Sequence, residues 1–296
     1  MTVIIPVLDP PREELERAMR SLIGQTAGDW AAFVVDDGSD VDLKWIDDVD
    51  ERVRLVKRGH EGVSAARNAG VTVATTRWIA FLDHDDIWAP TKLSRQIDSL
   101  ERSGAALSHT AFEWEQLRPR GDGSLDVSSM PRRYPGPVTY LDLLRGDHIC
   151  TSSVVMSRDA FHAVGGFDVS MSHAEDLDLW LRLLQSHAVF DVVDEPLVTY
   201  RTHDRGASSD YQDTYLRRRE LLRRHLRSGR RAHDPEVIAA ARAGLRRGRE
   251  IAGAQAFDVA RATRGTRITV HLTRALWRNP RLIASSLRHR LRGPRD

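Results

Sequence analysis

Three groups of acidic residues in this sequence have types and spacing that suit chemistry on a charged ligand. The first is Asp83 and Asp85, which follow the apolar run Trp78–Leu82 and are separated by one residue. Two carboxylates this close repel each other unless a positive charge lies between them. Mg²⁺ and Mn²⁺ take oxygen ligands, and Mg²⁺ is usually held by one or two carboxylates together with substrate phosphates. The spacing predicts a metal–diphosphate site, and a solvated acidic turn is the competing interpretation.

The second group is the turn Asp36–Asp40, which contains Asp36 and Asp37 and follows the apolar run Ala32–Val35. A carboxylate in this place is suited to accept a hydrogen bond from a base or a ribose hydroxyl. The competing interpretation is a polar turn, because Asp, Gly and Ser all favour turns.

The third group is the pair Glu175 and Asp176 at the start of a predicted helix. Ser172 and Glu175 have the spacing of a capping box, so helix capping also explains Glu175. Asp176 then falls in the first turn, where the helix dipole favours its ionised form. An ionised carboxylate facing a cleft can take a proton from an acceptor hydroxyl. Simple decoration of the helix N-terminus is the alternative for both acids.

A stretch of small residues, Gly62–Gly70, lies between the acidic turns and contains Arg67. Small residues allow the backbone to approach a ligand closely, and the guanidinium of Arg67 suits a phosphate. A tightly packed helix with a surface arginine is the other interpretation of this stretch.

The segments that must position these residues alternate between short strands and amphipathic helices. Continuous apolar runs predict buried strands at Val3–Val7, Ala32–Val35, Trp78–Leu82 and Val154–Met156, and Val53–Val56 is predicted as a further short strand. Helical patterning predicts helices near residues 15–23, 62–74 and 172–184. This order is typical of an open α/β sheet, in which ligands bind beyond the carboxyl ends of the strands. The acids that follow these strands, with Asp9 after the first, should therefore gather along one edge.

The segment Arg118–Pro137 is rich in Gly, Pro, Ser and Arg, which predicts a long loop. Loops of this length inside a compact domain are usually functional or mobile. We therefore expect this segment to influence the choice of substrate.

Taken together, these segments resemble the family 2 glycosyltransferases of the GT-A fold, over roughly residues 1 to 205. The segments that carry the resemblance are Val3–Asp9, Val34–Ser39, Phe81–Asp86 with Trp88 and Pro90, Val164–Asp168 and His173–Trp180. The resemblance implies a Rossmann-like nucleotide-diphospho-sugar transferase fold, an α/β architecture with a mixed sheet flanked by helices. It also implies inverting transfer of one sugar from a nucleotide-diphosphate sugar, with a UDP-sugar favoured. The acceptor would be a hydroxyl of a saccharide, a glycolipid or another lipid-linked molecule.

The resemblance also assigns roles to individual residues. Asp176 would be the general base, with Glu175 and Trp180 on the acceptor side. Contacts to the nucleotide sugar would come from Pro6, Leu8, Asp9, Asp36, Asp37, Arg67, Asp83 and His84. Mg²⁺ or Mn²⁺ would be held mainly by Asp85, with Asp83 and His203 in support. One departure from the family pattern is Asp9, where Asn is commoner.

The charge distribution divides the chain into an acidic body and a basic tail. Residues 211–296 contain 22 Arg, no Lys and 7 acidic residues, whereas the net charge of the whole chain is +2. We expect a catalytic domain over 1–210, with a nucleotide-sugar half at about 1–100 and an acceptor half at about 101–210. The Arg-rich tail, 211–296, should be a helical extension.

Two roles are open for this tail. The simpler is a helical cap whose arginines are solvated or paired with the acidic body. The other is peripheral attachment to an anionic membrane, to which basic residues are attracted. Leu276–Trp277 and Leu282–Ile283 would then supply apolar insertion. We expect no nucleic acid partner, because no recognised binding motif is present.

Several functional classes are disfavoured by the sequence. A single cysteine, Cys150, allows no intrachain disulfide, and we recognise neither a signal peptide nor an apolar run long enough to span a membrane. The expectation is a cytoplasmic protein of glycan or cell-envelope biosynthesis, with peripheral attachment to the inner face of the cell membrane as the second option. Processive synthases of the family carry a Gln-x-x-Arg-Trp segment, which is missing here. The alternatives are a non-catalytic nucleotide-sugar or carbohydrate-binding module and a sugar-phosphate nucleotidyltransferase, although Leu8–Pro11 lacks the Gly-rich loop of the latter.

Overall fold

The computed structural model of the protein describes residues 1–119, 125–134, 136–146, 148–202 and 211–262. These described residues divide into two compact units, one made of 1–143 and 148–202 and the other of 144–146 and 211–262. The domain boundary predicted at residue 210 adjoins residues 203–210, which are outside the described part, and it stays a prediction.

The first unit is built from nine strands and six helices within the described part of the chain. The strands are β1 (Thr2–Val7), β2 (Ala31–Asp36), β3 (Val53–Lys57), β4 (Trp78–Phe81), β5 (Ile87–Trp88), β6 (Leu107–Pro119), β7 (Leu125–Arg132), β8 (Val154–Ser157) and β9 (Phe190–Thr202). The helices are α1 (Arg12–Ile23), α2 (Val63–Val73), α3 (Lys92–Ser103), α4 (Tyr140–Arg145), α5 (Arg158–Ala163) and α6 (Glu175–Gln185). Helix α4 ends in the second unit, which also contains α7 (Tyr211–Arg231) and α8 (Pro235–Ala262).

The described strands form one mixed sheet in the order β3-β2-β1-β4-β8-β6-β9-β5, with β7 paired to β6. Strands β3, β2, β1 and β4 run parallel, as expected for alternating strands and helices. Strand β8 is antiparallel to both β4 and β6. The predicted α/β fold with a mixed sheet is therefore confirmed.

Because β1, β2 and β4 are parallel neighbours, the residues that follow them lie at the same edge of the sheet. The backbone N–H of Asp9 donates to Ser39 Oγ at 2.8 Å, and Asp9 Oδ1 accepts from the N–H of Asp40 at the same distance. The turns after β1 and β2 are therefore joined directly, as the topology predicted.

Helix α2 is tightly packed against β1, and its small residues make that packing possible. A Cβ added to Gly70 would lie 2.5 Å from Ile4 Cγ2, which is closer than side-chain atoms approach. Packing thus explains the small residues of Gly62–Gly70. The surface arginine of that interpretation is wrong, because Arg67 is only 4% exposed.

Two predicted boundaries are wrong. Among the described residues of Arg118–Pro137, most lie in strands rather than in a loop, because β6 extends to Pro119 and pairs antiparallel with β7. The second strand escaped prediction because Val127 and Met130 remain about half exposed, so burial leaves no apolar run in the sequence. Helix α6 begins at Glu175 rather than at Ser172.

Lys92, at the start of α3, is completely buried, and its Nζ makes no hydrogen bond with any described residue. Nζ lies 3.8 Å from the centroid of the Trp88 ring, and burial lowers the pKa of the amine well below 10.5. An unfolded chain binds this proton more readily, so Lys92 costs stability increasingly as the pH falls below 10.5. We expect Lys92→Met to raise the free energy of unfolding, more at pH 6 than at pH 9.

The measurement is urea denaturation at several pH values, with Lys44→Met, an exposed lysine, as the matched control. A gain that does not depend on pH would show that the amine stays protonated in the folded protein.

Candidate functional site

Arg67 lies at the centre of the candidate site and joins residues that are far apart in the sequence. Its Nη2 donates to Asp83 Oδ1 at 2.7 Å, and its Nη1 donates to Glu175 Oε1 at 2.9 Å. The guanidinium carbon also lies 5.3 Å from the centroid of the Phe167 ring. One buried arginine from α2 therefore connects the acidic turn after β4 with the first residue of α6.

Three acidic side chains lie close enough to Arg67 to change its pKa. Burial by itself would lower the pKa of Arg67, but Asp83, Glu175 and Asp176 outweigh this effect, and the pKa is raised. The pKa of Glu175 is also raised, because burial and the charge of Asp176 exceed the stabilising effect of Arg67. The predicted diphosphate turn and the predicted acid pair thus share one electrostatic environment.

The start of α6 is fixed without a side-chain cap. Ala174 has a left-handed backbone, with φ of 61°, and no side chain caps the helix there. The capping-box interpretation of Ser172 and Glu175 is therefore wrong, and the carboxylate of Glu175 is directed to Arg67 instead. Asp176 Oδ1 accepts from the backbone N–H of Leu177 at 2.6 Å.

The loop that precedes α6, residues 164–174, is hydrogen-bonded to both α2 and α6. Asn68 of α2 donates to the carbonyl of Phe167 and accepts from its N–H, both at 2.9 Å. Arg182 of α6 donates to the carbonyls of Val164 and Gly166 at 2.6 and 2.7 Å. Gly166 has φ of 69°, and an added Cβ would lie 2.8 Å from the Phe161 ring. These bonds set α6 against α2, which places Glu175 within reach of Arg67.

The turn after β2 is also tightly bound. Asp37 is 3% exposed, and its two carboxylate oxygens accept from the N–H groups of Glu61 and Gly62 at 2.9 and 2.8 Å. Asp36 Oδ1 accepts from the N–H of Ser39, as in a local Asp turn. The segment is therefore a well-formed turn, and Asp37 orients the residues that lead into α2. The predicted contact of Asp36 or Asp37 with a nucleoside stays a prediction.

The turn after β4 contains a residue whose importance the sequence did not reveal. Asp86 is fully buried, and its Oδ1 accepts from the backbone N–H of Arg201 at 3.0 Å. Burial, together with the charges of Asp85 and Asp83, raises the pKa of Asp86. The N–H of Asp83 donates to Ser152 Oγ at 3.0 Å. The predicted site did not include three of these residues, which are Asp86, Ser152 and Arg201. The acidic run Asp83–Asp86 was the only feature of the sequence that pointed to any of them.

The remaining predicted site residues differ in exposure. Pro6 is buried in β1, whereas Leu8 is 43% exposed and Asp9 is exposed with a left-handed φ of 43°. His84 and Asp85 are half-buried. Trp180 is 1% exposed and packs edge-on against Phe167, so it is part of the core, and its acceptor-side role stays a prediction. His203 lies outside the described residues.

The side chains near the acidic turn after β4 include two candidate metal ligands, Asp83 and Asp85. Within the described ranges, no three His, Cys, Asp or Glu side chains converge as a set that could hold a metal by themselves. Asp83 and Asp85 still fit a hard cation, since Mg²⁺ needs only one or two protein carboxylates when a diphosphate supplies further oxygens. The donor set therefore fits a metal that arrives with a phosphorylated ligand.

The chain is similar in sequence to two named glycosyltransferases. In sequence, 194 residues are 27% identical to the Escherichia coli protein named UDP-Glc:alpha-D-GlcNAc-diphosphoundecaprenol beta-1,3-glucosyltransferase WfgD, covering 64% of this chain and 71% of WfgD. The E. coli protein named UDP-Glc:alpha-D-GlcNAc-diphosphoundecaprenol beta-1,3-glucosyltransferase WfaP is 26% identical over 216 residues, covering 72% of this chain and 81% of WfaP.

In structure, the chain resembles S. aureus TarS 1-349 in complex with UDP-GlcNAc, with a TM-score of 0.61 at 15% identity. The similarity covers 76% of this chain and 66%, just under two thirds, of the TarS chain. At this identity the likeness supports the GT-A fold alone.

A family model settles the classification. The model described as Glycosyl transferase family 2 matches residues 2–165, more than half of the chain, and includes the acidic turns after β1, β2 and β4. This result favours a glycosyltransferase over both the nucleotidyltransferase and the non-catalytic binding module. The chain belongs to glycosyl transferase family 2 and is a glycosyltransferase.

Proposed function

We propose that this enzyme moves one sugar from a nucleotide-diphosphate sugar to a hydroxyl of a lipid-linked or free saccharide, with inversion at the anomeric carbon. The observation that carries the proposal is the double ion pair of Arg67 with Asp83 and Glu175. A diphosphate-binding turn and a candidate base must lie side by side for such a transfer, since the leaving group and the attacking hydroxyl share one carbon.

The donor in this proposal is a UDP-sugar. TarS has been solved with UDP-GlcNAc, and the name of WfgD specifies UDP-Glc, so similar proteins bind or use this class of donor. Asp9, Asp36 and Asp37 lie after β1 and β2, where the nucleoside would bind, and the exposed side chain of Leu8 lies beside them.

The acceptor in this proposal is a saccharide joined to a lipid by a diphosphate. The names of WfgD and WfaP both specify diphosphoundecaprenol-linked GlcNAc as the acceptor. This chain shares 26–27% of its aligned residues with them, so we carry over only the acceptor class.

Asp176 is the general base of the proposed mechanism. It takes the proton from the acceptor hydroxyl as the oxygen attacks the anomeric carbon, and the bond to the diphosphate oxygen breaks on the opposite face. Glu175 is less suited to this task, because its carboxylate is engaged by Arg67. Its part is to hold α6 so that Asp176 faces the sugar.

Asp85, with Asp83, would hold Mg²⁺ or Mn²⁺ together with the donor diphosphate, and His203 remains a proposed third ligand. Such a cation, when bound, neutralises charge that develops on the departing nucleoside diphosphate. The residues of this chain fix the position of the leaving group, because Arg67 and Ser152 restrain Asp83 on both its side chain and its backbone.

The test is thermal unfolding with a panel of nucleotide sugars in the presence and absence of Mn²⁺. A ligand that binds only the folded state raises the unfolding temperature. We expect a UDP-sugar to do so when Mn²⁺ is present, and we expect Asp85→Ala to abolish the shift and to lower transfer by about 100-fold or more.

Asp98→Ala is the matched control, since Asp98 is an exposed carboxylate on α3. A shift that survives in Asp85→Ala would remove this residue from the donor site. Stabilisation by another nucleotide class instead of UDP would overturn the proposed donor.

A further inference from the structure

Helix α7, in the second unit, has two distinct faces. Leu221 and Leu222 are buried, and Gly229 lies so close to Val237 of α8 that an added Cβ would be 2.8 Å away. The opposite face exposes six arginines, which are Arg217, Arg223, Arg224, Arg227, Arg230 and Arg231. At 3.6 residues per turn they fall within an arc of about 140°, and we call this set the arginine face.

The arginine face is almost without compensating charge. Between residues 214 and 231 the sequence contains one acid, Glu220, and it pairs with Arg224 at 3.6 Å. The other five arginines of the face make no ion pair with any described residue. Repulsion among these arginines destabilises the helix. Contact with an anionic surface would remove this cost.

The composition of the arginine face indicates the kind of contact it makes. Its exposed residues from 217 to 231 are six Arg, one Glu and one Ser, with no apolar side chain among them. Such a face can bind to a charged surface but has nothing to insert into hydrocarbon. From residue 217 to 231 the helix rises about 21 Å, which spans several phospholipid headgroups.

We infer that the arginine face of α7 binds the anionic headgroups of a phospholipid bilayer. One guanidinium group can donate two parallel hydrogen bonds to the oxygens of a phosphate. Each basic residue close to an anionic bilayer strengthens attachment by about fivefold. The described part of the chain has no helix long and apolar enough to cross a membrane. The purpose of this contact rests on the proposed function, since a lipid-linked acceptor lies in a membrane.

The test uses the full chain and vesicles that contain about 30% phosphatidylglycerol in phosphatidylcholine, sedimented at about 0.1 M salt. We expect the triple variant Arg223→Gln, Arg227→Gln, Arg230→Gln to bind about 100-fold more weakly than the wild type. The matched control replaces Arg20, Arg95 and Arg102 by Gln. These arginines are exposed in the first unit, so the net charge changes by the same amount.

An equal loss in both triple variants would overturn the inference, because net charge alone would then explain binding. Equal wild-type binding to pure phosphatidylcholine, or preferential binding to a DNA duplex, would also overturn it. Transfer to a water-soluble saccharide acceptor should be unchanged in the α7 variant. If the wild type binds vesicles but transfers no sugar, the proposed function is contradicted, whereas the inference that the arginine face binds anionic headgroups still holds.

Discussion

Replacement of Asp176 by Asn is expected to lower the rate of sugar transfer by about 100- to 10,000-fold while donor affinity stays near that of the wild type. The amide keeps the size of the carboxylate but cannot take a proton from the acceptor hydroxyl. Asp176 lies beside Glu175 at the start of α6, and the charge of Asp176 contributes to the raised pKa of its neighbour. The measurement is single-turnover transfer, with donor binding followed separately by thermal unfolding.

Glu175→Gln distinguishes the base from its neighbour. We expect this variant to lose less transfer activity than Asp176→Asn, because the Glu175 carboxylate is bound by Arg67 and takes no proton from the acceptor in the proposed mechanism. If Glu175→Gln instead abolishes transfer and Asp176→Asn retains it, the two acids exchange roles in the mechanism.

The second large effect is expected from Arg67→Met, which leaves two carboxylates without their shared cation. Breaking a buried ion pair by removing one partner costs about 3–5 kcal/mol. We expect the lower end of this range, because the side chain of Asp83 is 26% exposed and can be hydrated, whereas that of Glu175 is 13% exposed. Urea denaturation measures the change in free energy of unfolding.

The pH dependence of this loss separates an electrostatic role for Arg67 from a packing role. Glu175 has a raised pKa even beside Arg67, and removal of the cation raises it further. When the folded-state pKa of Glu175 lies above its unfolded-state pKa, stability falls as the pH rises from the unfolded-state value to the folded-state value. The loss in Arg67→Met should therefore be larger at pH 8 than at pH 5. Arg67→Lys is the control, since it keeps the charge, and equal losses at both pH values would indicate packing alone.

Strands β1, β4 and β8 of the first unit were predictable because they are buried on both faces. Runs such as Val3–Val7 and Trp78–Leu82 are continuous and apolar, and their order along the chain determines which acidic turns meet at one edge. The family resemblance added the identity of the motif after β4. Burial thus leaves a signal in the sequence wherever a strand faces the core on both sides.

Contacts between distant segments left no comparable signal. One interpretation of the sequence placed Arg67 on the surface. An arginine among small residues does not indicate that two distant carboxylates will bind it and bury it. Asp86 resembled its acidic neighbours in the sequence, yet it is the member of the turn that is fully buried. Strand β7 stayed hidden because pairing with β6, rather than burial, determines its conformation.

The two bonds of Arg67 also determine when the site can form during synthesis. Arg67 and Asp83 are 16 residues apart, whereas Arg67 and Glu175 are separated by 108. A ribosome adds residues in order, so the first half can fold around β1 to β4 well before α6 emerges. During that interval the guanidinium has only one of its two carboxylates, and the chain does not yet contain Asp176. In the proposed mechanism, a nascent chain that has acquired its nucleotide half therefore cannot transfer sugar until Asp176 has been added.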